Sequence, residues 1–258
     1  MVKKIENTND VKKLANLALY AGEILIKSGA EIYRAEDTVK RICESKENID
    51  DVNAYALPLA LFVSITYKGE TFTTFKRVEP RGTNLDIIDK VNTFSRNFVA
   101  DGGIDYNEGM EILKEIETKN ILSNWQKNLA AAIAGAFFTI LFGGNFKDFV
   151  STFFIAAIMS QIFNKVSNLK LSFVINNFIG AFIVSLLAVV CIKLNLATNI
   201  DKVIIGGIMI LVPGVEATNA SRETMNGDFL SGVIGFTKAI FLATSIALGA
   251  GVVLKIFM

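Results

Sequence analysis

"LSFVINNFIGAFIVSLLAVVCIKL", residues 171–194, decides the class of fold. The run is longer than the ~20 residues a helix needs to cross the hydrocarbon layer of a bilayer, and Lys193 is its one charge. A second run of that kind, Phe229–Met258, closes the chain. Three shorter apolar runs accompany them: Leu129–Phe142, Phe149–Phe163 and Val203–Val212. Each must borrow flanking residues such as Trp125, Asn128, Gly143 and Gly206-Gly207 to cross. The expectation is a bundle of five spans, or four if Val203–Val212 only re-enters the membrane.

The rest of the chain has a different chemistry. Of 258 residues, 26 are Lys or Arg and 25 are Asp or Glu. Up to Lys127 the counts are 18 basic and 20 acidic; beyond it they fall to 8 and 5. A normally charged domain, residues 1–122, therefore precedes a charge-poor membrane domain, residues 123–258. Neither half has the basic excess of a nucleic-acid binder. Histidine is absent, which excludes histidine-ligated zinc, Ser-His and Cys-His chemistry and a histidine proton switch. Cys43 and Cys191 lie one in each half with no ligand-like spacing, so no metal or cofactor is read from them. The first residues, "MVKKIENTND", lack the uninterrupted apolar core of a signal peptide. That favours a cytoplasmic N-terminal domain on a multi-pass protein of the cell membrane. Loop charges are nearly balanced, with Lys127, Lys165, Lys170 and Arg222 against Lys147, Lys193, Lys202 and Lys255, and decide little.

The N-terminal domain reads as an α+β unit of helix pair, β-hairpin and helix pair. Val11, Leu14, Leu17, Ala18, Ala21, Ile24 and Leu25 follow helical spacing, and Ser28-Gly29 supplies a stop. Ala30–Ser45 is a second, highly charged helix. "LPLALFVSITYKGETFTTFKRV" (57–78) alternates, with Lys68-Gly69 where a hairpin turn belongs. A third helix begins after Asn84, a plausible N-cap, and stops at Gly102-Gly103; "DYNEGMEILKEIETK" (105–119) is a fourth.

Chemistry concentrates in "LVPGVEATNASRETMNGDFLSG", residues 211–232. An ordinary polar turn between two spans explains this stretch, since Pro-Gly commonly ends a helix. A working site at a helix break explains it equally. The run before Pro213 is too short to span, and irregular backbone within the membrane is tolerated only beside protein or a water-filled cavity. A helix restarting after Pro213-Gly214 would place Thr218, Asn219, Arg222 and Glu223 on one polar face. Lys238, inside the last apolar run, costs about 2.5–3.5 kcal/mol on insertion scales, and Asp228, Glu216 or Glu223 could partner it. Arg222 can fork onto a carboxylate, Lys238 adds positive charge, and Thr218, Asn219 and Ser231 offer neutral hydrogen bonds. Glu223 and Asp228 suit either a substrate amino group or a coupling proton. The class of ligand is thus a small anion or zwitterion.

Three stretches, "SGAEIYRAEDTVKRI" (28–42), "RGTNLDIIDKVNTFSR" (81–96) and "PGVEATNASRETMNGDFLSG" (213–232), resemble those of the threonine/serine exporter family, in its larger split-subunit form. The resemblance implies a soluble N-terminal domain with about five spans. It also implies a smaller membrane partner of four or five spans, and export of threonine and serine or of the dicarboxylate succinate. It further implies roles, not specified by the residues themselves, for Gly29, Glu31, Tyr33, Arg34, Glu36, Asp37 and Asn84. Nothing in the motifs separates amino acids from dicarboxylates, and homo-oligomerisation stays open. The chain is not expected to be an enzyme: it has no G-x-S-x-G and no phosphate-binding G-x-x-x-x-G-K-[ST] loop. A membrane-anchored ligand-binding or sensor module is the alternative function.

Overall fold

A computed structural model of the chain describes residues 5–80, 82–100, 104–119, 122–166 and 172–257. Arg81, the Gly102-Gly103 stop and Lys170 lie outside the described residues. The chain divides into two compact units, Met1–Lys119 with Val215–Phe236, and Asn120–Gly214 with Thr237–Met258.

In the first unit, α1 (Thr8–Lys27) is capped by the Asn7 side chain, which accepts from Asp10 N–H. The seven apolar residues that mark it in the sequence are all buried, because a 3.6-residue period gathers them on one stripe. The stripe packs so closely that a methyl at Gly22 would lie 2.5 Å from Leu61 Cδ2 and 2.8 Å from Val39 Cγ2. Gly29, with φ +77°, ends the helix: Ala30 N–H donates to Leu25 O at 3.0 Å. Only glycine enters this left-handed conformation cheaply. α2 (Ile32–Glu44) follows.

The sheet has three antiparallel strands in the order β1 (Asp51–Leu57), β2 (Ala60–Tyr67) and β3 (Glu70–Arg77). This corrects the expected two-stranded hairpin. β1 escapes the sequence pattern because its inward face is small: Val52 and Ala56 are buried and Ala54 is half-buried, while Asp51 and Asn53 are exposed. It is made by pairing, with Leu57 opposite Ala60 and only Pro58-Leu59 between the strands. Leu61, Val63, Ile65 and Tyr67 bury the inner face of β2. Asn84 caps α3 (Leu85–Ala100) by accepting from Ile87 N–H, and Asp105 caps α4 (Tyr106–Thr118). The buried Glu23 carboxylate pairs with Lys27 on its own helix (2.7 Å) and ties α1 to β3 through Lys76 (2.5 Å); Lys27 also reaches Glu117 on α4 (3.1 Å).

The second unit holds α5 (Asn124–Leu141), α6 (Phe146–Val166), α7 (Phe173–Lys193) and α8 (Ile200–Ile208), which tightens into a 3-10 turn at Met209–Leu211. Small residues let these helices approach: a methyl on Gly135 would stand 3.0 Å from Ala156 Cβ and 3.2 Å from Gly206 O, and one on Gly207 2.6 Å from Val184 Cγ1. Close backbone approach replaces the hydrophobic drive that lipid-bathed helices lack. Asp148, fully buried at the start of α6, accepts from Thr198 N–H (2.7 Å), Asn199 N–H (3.0 Å), Asn199 Nδ2 (2.8 Å) and Asn145 N–H (3.0 Å).

α9 (Gly214–Met225) and α10 (Phe229–Phe257) complete the chain. Among the described residues, Phe146–Phe163, Phe173–Lys193 and Phe229–Phe257 are long and apolar enough to cross a membrane. The broken pair Ile200–Leu211 and Gly214–Met225 raises the number to four if it counts as one span. The five spans expected from sequence are not all met. α5 opens with Asn124, Trp125, Gln126, Lys127 and Asn128, so an 18-residue helix has too little apolar length left.

Candidate functional site

α9 begins where its sequence says it should. Proline cannot donate an N–H, so α8 cannot run on through Pro213, and Gly214 opens the new helix at once. From there, Thr218 and Arg222 repeat at i, i+4, as do Asn219 and Glu223, and form a polar face. α9 ends at Gly227, with φ +88°, and Asp228 N–H donates to Glu223 O at 2.9 Å. Asp228 then caps α10 by accepting from Ser231 N–H at 3.3 Å. A methyl on Gly235 would lie 2.8 Å from Ala220 Cβ, so glycine permits the tight turn of α10 back along α9.

The polar face of α9 meets the start of α2. Asn219 Nδ2 donates to Gly29 O at 3.0 Å. Arg222 Nη1 donates to Glu31 Oε1 at 2.8 Å, while Glu31 Oε2 pairs with Arg34 Nε at 3.0 Å. Ile32 N–H donates to Glu223 Oε1 at 3.2 Å. Glu31 is the N-cap of α2 yet makes no capping bond with its own side chain. The buried Glu223 supplies a negative charge to that helix terminus, where orphan N–H groups and the helix dipole favour one. The second motif reaches the same turn: Asn84 N–H donates to Ser28 O at 2.9 Å, and a methyl on Gly29 would lie 3.0 Å from Thr83 Oγ1. Three stretches distant in sequence thus converge on residues 28–32.

The remaining residues singled out in the sequence take varied places. Tyr33 is half-buried and accepts from Arg34 Nε at 3.4 Å. Glu36 accepts from Ala56 N–H at 2.7 Å. Partial burial holds its carboxyl above the usual range, with the charges of Asp228 and Asp37 adding to the effect and the Ala56 bond opposing it. Asp37 and Thr218 are exposed. Ser231 is fully buried, and its Oγ has no hydrogen-bond partner among the described residues. Pro213, Gly214 and Lys238 belong to the second unit, where Lys238 is half-buried on α10. No group of three or more Cys, Asp or Glu among the described residues is placed to hold a metal.

Two contributions escaped the sequence reading. The Gly29 carbonyl is a backbone acceptor and has no side-chain signature. Asp148 did have one: Asn145-x-x-Asp148 is a reciprocal cap, with Asp148 N–H donating to Asn145 Oδ1 at 3.1 Å and Asn145 N–H to Asp148 Oδ2.

The class these features define is a multi-span helical membrane protein with an α+β N-terminal domain and an ion-paired polar helix after a break. The family described as "Putative threonine/serine exporter" (ThrE) matches residues 16–257, and the chain belongs to it. It is a membrane transporter of that family, not an enzyme. It is 21% identical over 243 residues, 93% of each chain, to a "Probable succinate transporter subunit YjjP" of Klebsiella aerogenes. It is also 21% identical over 252 residues, 97% of each chain, to the protein of the same description in Escherichia coli (strain K12). No solved structure matches the chain.

Proposed function

We propose that the chain is one subunit of a secondary exporter of small carboxylated solutes, either threonine and serine or a dicarboxylate such as succinate. The observation that carries the reading is Arg222. Its guanidinium already binds a carboxylate, at 2.8 Å, while its side chain stays 57% exposed. Asn219 stands one turn away on the same face of α9, and Thr218 is exposed beside it. An arginine fork with neutral hydrogen-bonding neighbours suits a hydroxy-amino acid or a dicarboxylate. Pro213 and Gly214 break the helix ahead of this face, and Glu223 adds a further polar group to it; Asp228, Ser231 and Lys238 follow it in the chain as further candidates for solute binding. Discontinuous helices of this type hold ionic solutes in other transporters.

In this reading the N-terminal domain, residues 1–122, is cytoplasmic. The protein works in the cell membrane with a smaller partner of four or five spans, driven by the proton gradient. The relatives' description as a transporter subunit supports the partner. Efflux tests it. Cells loaded with serine, threonine and succinate, expressing this chain with its small partner, should release one class of solute. Arg222→Ala should abolish release at an undiminished level in the membrane. Normal export by that variant refutes the site.

One observation favours a sensor role for the first unit. A cavity of about 290 Å³ is lined by Asp10, Lys13, Lys46 and Asp105 over Leu14 and Phe98. Saturable binding of an amino acid by the full chain that survives Arg222→Ala would support that reading.

A further inference from the structure

We propose that the turn Gly29–Ile32 is a built-in surrogate of the exported solute, seated on the recognition face of α9 until a solute carboxylate displaces it. The inference rests on the reading of α9 given above and assigns a function to the first motif. Within four consecutive residues the turn presents a carboxylate, as either class of solute does, together with a carbonyl oxygen and the N–H donor that an amino acid brings. Glu31 offers a carboxylate to Arg222, Gly29 a carbonyl oxygen to Asn219, and Ile32 an N–H to Glu223. Asn219, Arg222 and Glu223 on α9 therefore each have a partner of the chemistry that an amino-acid solute would bring.

Two features separate this arrangement from a simple structural tie. First, Glu31 stands at the N-cap of α2, where a side-chain acceptor would normally serve its own helix. It makes no such bond and turns to Arg222 and Arg34 instead. Second, exposure is unequal across the pair: the Glu31 side chain is 9% exposed and that of Arg222 57%. An arriving carboxylate can approach a guanidinium with five N–H donors, of which Glu31 receives one. Departure is easy for Glu31. Arg34 remains at 3.0 Å to neutralise it, so no buried charge is stranded when Arg222 changes partner.

The consequence is quantitative. A site whose competent state is populated a fraction of the time binds with an apparent constant raised by the inverse of that fraction. A partly exposed ion pair biases such an equilibrium by up to about fivefold, and this is the share of the bias that the Glu31 side chain supplies. Removing the Glu31 charge should then lower the half-saturating solute concentration about 2–5-fold.

The test uses the assembled transporter, this chain with its partner, in vesicles loaded with graded concentrations of the solute that the wild type exports. Glu31→Gln is expected to lower the half-saturating concentration by that factor. Glu31→Asp, which keeps the charge but shortens its reach, should fall between the two and covers the case in which the glutamine variant fails to insert. A merely structural tie predicts the opposite, a raised half-saturating concentration or lost protein. An unchanged or raised value in an exporting Glu31→Gln protein overturns the surrogate and leaves the exporter reading standing. A wild type that exports none of serine, threonine or succinate overturns both.

Discussion

Asp148→Asn isolates the most heavily hydrogen-bonded carboxylate of the second unit. Asp148 Oδ1 accepts the backbone N–H groups of Thr198 and Asn199, and Oδ2 accepts Asn145 N–H and Asn199 Nδ2. An asparagine fills the same space with one acceptor and one donor. If its oxygen stays with Thr198 and Asn199, its amide nitrogen confronts Asn145 N–H and Asn199 Nδ2. The reverse orientation confronts two backbone N–H groups that cannot turn away. In either orientation at least one buried backbone donor is stranded, at about 1–3 kcal/mol, and the surviving bonds lose charge assistance. The expected loss is about 3 kcal/mol, or roughly 6–12 °C in melting temperature for a chain of this length. Asp148→Ala, which frees all three backbone N–H groups, should lose more. Thermal unfolding of the detergent-purified protein, followed by size-exclusion recovery, measures both. An asparagine variant melting within about 2 °C of the wild type refutes the assignment of the carboxylate as the joint between α6 and the start of α8.

Three other variants test the remaining packing and electrostatics. Gly206→Ala places a methyl against Thr139 Oγ1 and 2.7 Å from Gly135 O, so the α5–α8 contact should lose about 1–3 kcal/mol. Gly251→Ala on α10 meets nothing within 4 Å and should be neutral or slightly stabilising; equal melting of the two variants contradicts the close approach. Glu36 is held above its ordinary 4.5 by partial burial, with Asp228 and Asp37 adding to it. A carboxyl shifted upward favours the folded state only while protonated. Its contribution is complete below 4.5 and is lost as pH rises through the folded value. Glu36→Gln keeps an acceptor for Ala56 N–H, so it should flatten the decline in melting temperature as pH rises above 4.5. An unaltered pH slope assigns that decline elsewhere.

What the sequence disclosed and what it withheld divide along a physical line. The α1 stripe, the Ser28-Gly29 stop, the Asn84 cap and the break at Pro213 are local signals, set by periodicity, φ preference and missing donors, and each could be read directly. β1 was hidden because alternating Val52, Ala54 and Ala56 is a faint pattern, and the strand exists through its register with β2. The fifth span was over-read at α5, where polar residues occupy a full helical turn at the start of an apolar run. The polar face of α9 was legible as spacing. Its partner was not: Glu31 and Arg222 are 191 positions apart, and no period reports a contact at that separation. The charges of the first motif could therefore be seen but given no role.

The convergence on residues 28–32 explains why that role needs a particular backbone. Gly29 combines a positive φ with a neighbour, Thr83, at the distance where a methyl would already be tight. A side chain there would strain the turn and push against the second motif together. The turn in turn fixes where the Gly29 carbonyl, the Glu31 carboxylate and the Ile32 N–H point, and all three point at α9. Charge alone would not achieve this: Glu36 and Asp37 sit within two turns of Glu31 on the same helix, yet Glu36 turns to Ala56 and Asp37 to solvent. The selectivity of the contact lies in the left-handed turn before α2, which delivers one carboxylate out of three to Arg222.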